Sequence, residues 1–168
     1  MNDREIAGRF NVYVGRVHGA VLVGGAPEPL YLPACPEDGR ARAIIRYTLD
    51  YAQSALHEIA HWCVAGDARR KLPDYGYWYV PPPRSVAEQA AFFAAETRAQ
   101  ALESVFADAC GVKFRVSVDQ TGKVGADVGK FAALVAEQAE RIRREAPRGR
   151  ADAVLEALSD GGRRVASG

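Results

Sequence analysis

Sulfur and histidine are scarce in this chain of 168 residues. Its three cysteines, Cys35, Cys63 and Cys110, are odd in number and form no Cys-x-x-Cys pair, which argues against a disulfide framework and a cysteine-based zinc site. No apolar run approaches the roughly 18 to 20 residues that a membrane-spanning helix needs, and no segment typical of a signal peptide follows the N-terminus. These absences predict a protein of the reducing cytoplasm that does not enter a membrane.

An excess of charge of one sign is also lacking, because the formal net charge is only +1. Without an overall field, the composition gives no support to nucleic-acid binding or to docking on an anionic membrane surface. The length is typical of one domain with its own core. We therefore expect a single domain over residues 1–160, a frayed tail over residues 161–168, and a monomer.

Two of the chain's three histidines lie in one short motif, His57-Glu58-Ile59-Ala60-His61. On a helix, four residues advance the chain by about 400°, so the two imidazoles lie about 40° apart and one turn above each other. This spacing lets one metal ion take a nitrogen from each ring. Glu58 lies beside them and suits an acid/base role better than a ligand role. The third histidine, His18, precedes a glycine and is predicted to be a surface residue.

The motif falls inside a predicted amphipathic helix, which is the context that makes metal binding credible. Asp50 and Gln53 resemble a capping box at its start, and Gly66 is typical of a residue just beyond a helix end. Apolar residues follow helical spacing between these points, at Ala52, Leu56, Ile59, Ala60, Cys63 and Val64.

A metal held by two histidines needs at least a third protein ligand, and the default here is a carboxylate. A second helix is predicted over residues 85–110, and its polar strip carries Glu96, Gln100 and Glu103 at spacings of four and three. Either glutamate could bind the ion on geometry alone. The strip is equally well explained as the solvated face of a helix.

Two histidines and one carboxylate are compatible with more than one chemistry. They bind zinc in hydrolases, where an open position holds an activated water, and iron(II) in oxygenases, where open positions bind dioxygen. A metal whose coordination shell is filled by protein would instead only join two helices. The ligand set therefore predicts a metal site and leaves the reaction open.

An aromatic segment follows the motif helix after a short polar link that contains the basic run at residues 69–71. It consists of Asp74-Tyr75-Gly76-Tyr77-Trp78-Tyr79, and alternation along a strand would put its three tyrosines on one face. Packing in the core is one interpretation. The other is an aromatic wall beside the metal that receives an aliphatic or cationic side chain.

The remaining patterns predict an α+β fold in which a small mixed sheet is packed by helices. Strands are expected at residues 20–23, 30–32, 43–47, 75–80 and 113–118, and further helices at residues 4–13, 127–145 and 152–158. The apolar stripe expected on the second helix consists of Phe92, Ala95, Ala99, Leu102, Phe106 and Ala109.

From residue 29 to about residue 119 the sequence resembles the elongation factor P hydroxylase family. The matching words are Pro-Leu-Tyr-Leu-Pro-Ala at 29–34, Ser-Ala-Leu-His-Glu-Ile-Ala-His-Trp-Cys-Val-Ala-Gly at 54–66, Ala-Arg-Arg at 68–70, Tyr-Gly-Tyr-Trp-Tyr at 75–79 and Gln-Ala-Leu at 100–102. The histidine motif alone is shared with many metallopeptidases, whereas this combination is specific. The part after Gly122 shows no matching motif.

The resemblance implies a metallopeptidase-like scaffold, with a zincin-like pair of metal-binding helices, that is reused for oxidation. It implies an iron-dependent monooxygenase that uses dioxygen to hydroxylate the β-lysylated lysine of elongation factor P. Carried over by position, His57, His61 and Glu96 are the metal ligands. Glu58 is the adjacent catalytic acid/base group.

A lysine side chain is long and cationic, so its pocket should offer acidic or aromatic groups. The substrate-binding residues expected on this ground are Asp74, Tyr75, Tyr77, Trp78, Tyr79 and Glu103. The main alternative is a small zinc peptidase, in which Glu58 deprotonates a zinc-bound water and a tyrosine of residues 75–79 stabilises the oxyanion.

Overall fold

The computed structural model describes residues 1–48, 51–76, 85–117 and 126–159. Within these ranges the strands are β1 (Ala20–Ala26), β2 (Leu30–Leu32) and β3 (Ala43–Thr48), in the spatial order β1-β3-β2. The central strand β3 pairs with β1 in parallel and with β2 antiparallel. The small mixed sheet and the α+β class predicted from the sequence are therefore confirmed.

The alternation of side chains along β3 explains why this strand lies at the centre of the sheet. Ala43, Ile45 and Tyr47 are buried on one face, and β-branched and aromatic side chains favour such a pleated, half-buried surface. Leu22 of β1 and Tyr31 of β2 lie directly opposite Ile45 on its two sides and are buried as well. The buried face therefore runs across all three strands.

A helical run precedes the sheet and covers its core. It consists of α1 (Asp3–Arg9), a π-helical stretch (Phe10–Gly15) and α2 (Arg16–His18). Ile6, Phe10 and Val14 follow one another at spacings of four and are buried in the main core. The helix predicted over residues 4–13 is therefore present, and the helical run continues to His18.

The histidine motif lies on α3 (Ala52–Val64), whose apolar face packs into the main core. Its buried side chains are Ser54, Ala55, Leu56, Ile59, Ala60 and Trp62. The N-cap is Tyr51, without a side-chain hydrogen bond, and the amide of Gln53 donates to the carbonyl of Arg115 at 2.6 Å. The side chain of Gln53 therefore contacts Arg115 and does not form the capping box expected for it. Asp50, the other residue of that box, lies outside the described residues.

The second predicted helix is α4 (Val86–Cys110), and it is followed by α5 (Ala126–Glu145) and α6 (Arg150–Leu158). Of the stripe predicted for α4, Ala99, Leu102 and Phe106 are buried. Ala101 and Val105 are buried as well, in a second core cluster shared with α5. Helix α4 is therefore packed on two sides, against α3 and against α5, which leaves little of it for a solvated strip.

Two predicted strands are not found where the structure describes their residues. Tyr75 belongs to a 3-10 turn (Pro73–Gly76), and residues 77–80 lie outside the described residues. Residues 113–117 are not in a strand, and the backbone of Ser117 is held by the side chain of Gln100. Alternation predicts a strand only where a neighbouring strand can pair, and here side-chain amides satisfy the backbone groups instead.

The described elements pack into a single domain with two adjoining apolar clusters. The tail predicted over residues 161–168 lies outside the described residues. None of the helices in the described ranges is both long and apolar enough to cross a bilayer.

Candidate metal centre

Helix α3 brings the rings of His57 and His61 together, as their spacing along the helix predicts. Their Nε2 atoms lie 3.1 Å apart, and the ring centroids are 4.6 Å apart at an interplanar angle of 77°. Two imidazole nitrogens therefore point at one place beside the helix.

Helix α4 adds a carboxylate to this pair. Glu96 Oε1 lies 3.2 Å from His61 Nε2, and Glu96 Oε2 lies 4.0 Å from His57 Nε2. The three side chains can each offer one donor atom within 4.8 Å of the other two. Donors that share a metal at roughly 2.0–2.2 Å lie on the order of 3 to 3.5 Å from one another, so this trio fits a transition-metal ion after small side-chain movements.

Glu103, the other glutamate that the sequence offered, lies behind His57. Its Oε2 is 2.7 Å from His57 Nδ1, the ring nitrogen that faces away from Glu96 and His61, and the residue is only 1% exposed. Because a carboxylate accepts and does not donate, Nδ1 carries the proton of this bond. In this structure Glu103 contacts His57, and the substrate contact expected for it stays a prediction.

Gln100 lies between the two glutamates on α4 and was not predicted as a site residue. Its amide nitrogen donates to Glu96 Oε2 at 3.2 Å and to the carbonyl of Ser117 at 2.8 Å, while its Oε1 accepts from the amide of Ser117 at 3.0 Å. Gln100 therefore orients the ligand carboxylate and ties it to the chain after α4. Its spacing of four from Glu96 was the available sequence signal.

The contacts of Glu96 keep it ionised. Burial raises its pKa, but the hydrogen bond and charge of His61, the charge of His57 and the amide of Gln100 outweigh burial and lower the pKa to about 2. An anionic carboxylate is the form that a divalent cation requires.

His57 is protonated near neutral pH when no metal is bound. Burial lowers its pKa, but the hydrogen bond and charge of Glu103, with the charges of Glu58 and Glu96, raise the pKa to about 9. A cation bound at Nε2 takes the place of one proton, so metal binding and proton release are coupled at this ring.

Glu58 lies half-buried on α3 between the two histidines in sequence. Burial raises its pKa, the charges of His57 and His61 oppose this, and the charges of Glu96 and Glu103 raise it further, with a net upward shift. Within the described part of the chain its carboxylate makes no hydrogen bond. A carboxyl group with a raised pKa beside a metal site is suited to hold and release a proton.

The described part of the aromatic segment forms a strained turn. Asp74 and Tyr75 have φ angles of 46° and 58°, and Asp74 Oδ1 accepts a hydrogen bond from the amide of Tyr31 at 2.8 Å. The ring of Tyr75 stacks on that of Tyr31 at 4.1 Å, and its hydroxyl is buried without a partner among the described residues. Asp74 thus has a structural contact here. Tyr77, Trp78 and Tyr79 lie outside the described residues.

Arg150, at the start of α6, anchors the end of the histidine helix. Its guanidinium donates to the carbonyls of Cys63 and Ala65 at 3.1 and 2.7 Å and lies 5.1 Å from the ring centroid of Trp62. These carbonyls end α3 and need donors from elsewhere. Only the tertiary fold reveals this contact. His18 is exposed, as predicted.

The fold is α+β with a small mixed sheet, and two histidines of one helix converge with a glutamate of a second helix. Together these features define the class, which is an α+β protein with a candidate His-His-Glu metal site. The model of the family described as elongation factor P hydroxylase matches residues 9–163. The chain belongs to the elongation factor P hydroxylase family.

A relative supports the same assignment. The elongation factor P lysine hydroxylase of Haemophilus influenzae is 38% identical over 154 residues, which cover 92% of this chain and 85% of the relative. The family match continues past Gly122, although no motif in that part of the sequence indicates it. Helices α5 and α6 are therefore part of the family domain.

Proposed function

We propose that this protein is an iron-dependent monooxygenase that hydroxylates the β-lysylated lysine of elongation factor P. The observation that carries the proposal is the convergence of His57, His61 and Glu96, because two imidazoles and one carboxylate are a ligand set of iron(II) oxygenases. The family of the chain and the name of its relative supply the protein substrate. Zinc is the alternative occupant of the same site.

The nature of the substrate favours oxidation over hydrolysis. The carbon of a lysine methylene is not electrophilic, so a metal-activated water cannot attack it, and hydrolysis cannot modify this position. Iron held by the three ligands would supply activation of dioxygen: one oxygen atom would enter the C–H bond as C–OH, and the other would leave as water, with two protons and two electrons from an external reductant. The family and the relative both point to hydroxylation, and neither points to peptide cleavage.

The residues around the ligands have separate tasks. Glu103 holds His57 through Nδ1, and Gln100 holds Glu96 through Oε2, so the donor atoms are aimed before a metal arrives. Glu58 carries a carboxyl group whose pKa is raised by burial, and it is the candidate group for proton transfer beside the site.

The substrate's cationic side chain is expected to meet the aromatic segment. Tyr75 is stacked and buried, while Tyr77, Trp78 and Tyr79 stay predicted pocket residues on the strength of their ring faces. A cytoplasmic location and a monomeric state stay predictions as well.

One experiment tests the proposal directly. The protein is purified without oxygen, loaded with iron(II) or zinc, and incubated in air with a chemical reductant such as ascorbate and with β-lysylated elongation factor P, whose mass is then measured. We expect a gain of one oxygen atom with the iron form alone, no gain with Glu96→Ala, and a normal gain with Asp108→Asn, an exposed carboxylate of the same helix. An unchanged mass with the iron form, with cleavage of a casein-like substrate by the zinc form, would support the peptidase.

A further inference from the structure

Glu103 is the most deeply buried carboxylate of the site, and its one hydrogen bond among the described residues goes to His57 Nδ1 at 2.7 Å. Its other oxygen, Oε1, is buried without a partner in the described part of the chain. A buried carboxylate is energetically costly unless it is paired, and the hydrogen bond with His57 Nδ1 provides that pairing. We propose that Glu103 is a positioning residue that selects the ring orientation and tautomer of His57 that a metal needs. The inference rests on the proposed metal site.

The contact selects the orientation of the ring. A rotation of the imidazole by half a turn about its Cβ–Cγ bond would put the ring carbon Cδ2 in the place of Nδ1 and the ring carbon Cε1 in the place of Nε2. Glu103 would then lose its donor and stay buried without a partner. The same half-turn would take Nε2 away from its place 3.1 Å from His61 Nε2 and 4.0 Å from Glu96 Oε2.

The contact also selects the tautomer. A neutral imidazole carries one proton, and an ionised carboxylate can only accept, so Glu103 keeps the proton on Nδ1 and leaves the lone pair on Nε2. Within the described residues no carboxylate lies within ion-pair distance of the corresponding nitrogen of His61. The selection of the tautomer by a carboxylate is therefore specific to His57, and His61 serves as an internal reference.

The substitution Glu103→Gln separates this role from simple filling of space. Glutamine has the same shape, but its amide can turn its NH₂ group toward Nδ1, which favours the tautomer with the proton on Nε2 and removes the ligand atom. Outer partners of metal-bound histidines typically change metal affinity about 10- to 100-fold, and we expect a loss in this range. Asp108→Asn is the matched control, because it changes a carboxylate of the same helix that pairs with Arg143 at the surface.

The test uses the full chain with ¹⁵N-labelled histidine and zinc as the probe. Competition with a coloured chelator measures zinc affinity, and long-range ¹H–¹⁵N correlation identifies the protonated nitrogen of each ring. We expect a proton on His57 Nδ1 in the zinc-loaded wild type and a zinc affinity lowered about 10- to 100-fold in Glu103→Gln. With the metal removed, and at a pH high enough to leave both histidines neutral in both proteins, we expect the His57 proton on Nδ1 in the wild type and on Nε2 in Glu103→Gln, with no change at His61. Asp108→Asn should match the wild type in each respect.

The outcomes distinguish this inference from the proposal beneath it. If the wild type and Glu103→Gln bind zinc equally well, and the tautomer of His57 is unchanged in the variant, the role proposed for Glu103 is wrong. The proposed metal site would be unaffected by that result. Zinc on Nδ1 of His57 in the wild type would overturn the role of Glu103 too, even if the variant did not fold. Failure of the wild type to bind either zinc or iron would overturn the metal site itself.

Discussion

Two glutamates on one helix show how position decides the role of a residue. Glu96 and Glu103 have the same side chain and lie seven residues apart, about two turns of α4. Glu96 reaches the Nε2 side of the histidines, whereas Glu103 reaches Nδ1 of His57. In the proposed metal site one would share the metal and the other would orient a ligand, and the difference arises from which ring nitrogen each glutamate contacts.

The raised pKa of His57 makes the stability of the metal-free protein depend on pH. Its folded pKa of about 9 lies above the ordinary histidine value of 6.5, so the stabilisation is fully present below about pH 6.5 and is lost as the pH rises through about 9. We expect the free energy of unfolding, measured with urea in the presence of a chelator, to fall over this window. The variant His57→Gln should lack this component. An equal or larger fall in the variant would contradict the assignment to His57.

At the level of elements, the N-terminal run and β1 approach each other at Gly15. A Cβ at Gly15 would lie 2.5 Å from the carbonyl oxygen of Ala20, which is backbone and cannot turn aside. We expect Gly15→Ala to destabilise the fold by about 1–3 kcal/mol because the strand must shift.

Gly8, on the same helical run, provides the control. A Cβ there meets nothing within 4 Å, so Gly8→Ala should stabilise α1 by about 0.5–1 kcal/mol through helix propensity. Urea unfolding of both variants checks the pair. Equal effects of the two substitutions would show that the close approach at Gly15 is absent.

The contact between α6 and α3 joins the end of the chain to the histidine helix. Removing the guanidinium in Arg150→Ala leaves the carbonyl of Cys63 without this donor, leaves the carbonyl of Ala65 with Arg70 as its remaining side-chain donor, and exposes one face of Trp62. We expect a loss of about 1.5–3 kcal/mol in the free energy of unfolding. Arg144→Ala, at an exposed position of α5, should change it by less than about 0.5 kcal/mol. Similar losses in both variants would argue against a specific anchor.

At the scale of the whole molecule, we expect a metal bound between α3 and α4 to stabilise the entire fold, because the proposed site does not exist in the unfolded chain. At a free metal concentration of about one hundred times Kd, the gain is about 2.7 kcal/mol. Thermal unfolding with zinc and with a chelator measures it, and Glu96→Ala should abolish the shift while Asp108→Asn retains it. A shift that persists in Glu96→Ala would place the ion elsewhere.

Local patterns predicted much of this protein. The helices at the histidine motif and over residues 85–110, and the three strands of the sheet, lie close to where periodicity placed them. Residues 113–117 were misread because a strand depends on a partner that no local pattern reveals. The turn at Asp74 and Tyr75 was misread because their positive φ angles are unusual for residues other than glycine.

The sequence by itself determined that His57 and His61 share one place beside a helix, because their spacing of four and the geometry of the helix leave no other arrangement. Spacing along the second helix left the choice of carboxylate open and the family resemblance implied Glu96, whereas the tertiary structure shows Glu96 Oε1 at 3.2 Å from His61 Nε2. The packing of α4 between α3 and α5 sets the height and rotation of Glu96 and Glu103 relative to the two rings. That packing depends on apolar contacts far apart in the chain, such as those of Val105 with residues of α5. No pattern of charged residues along one helix contains this information.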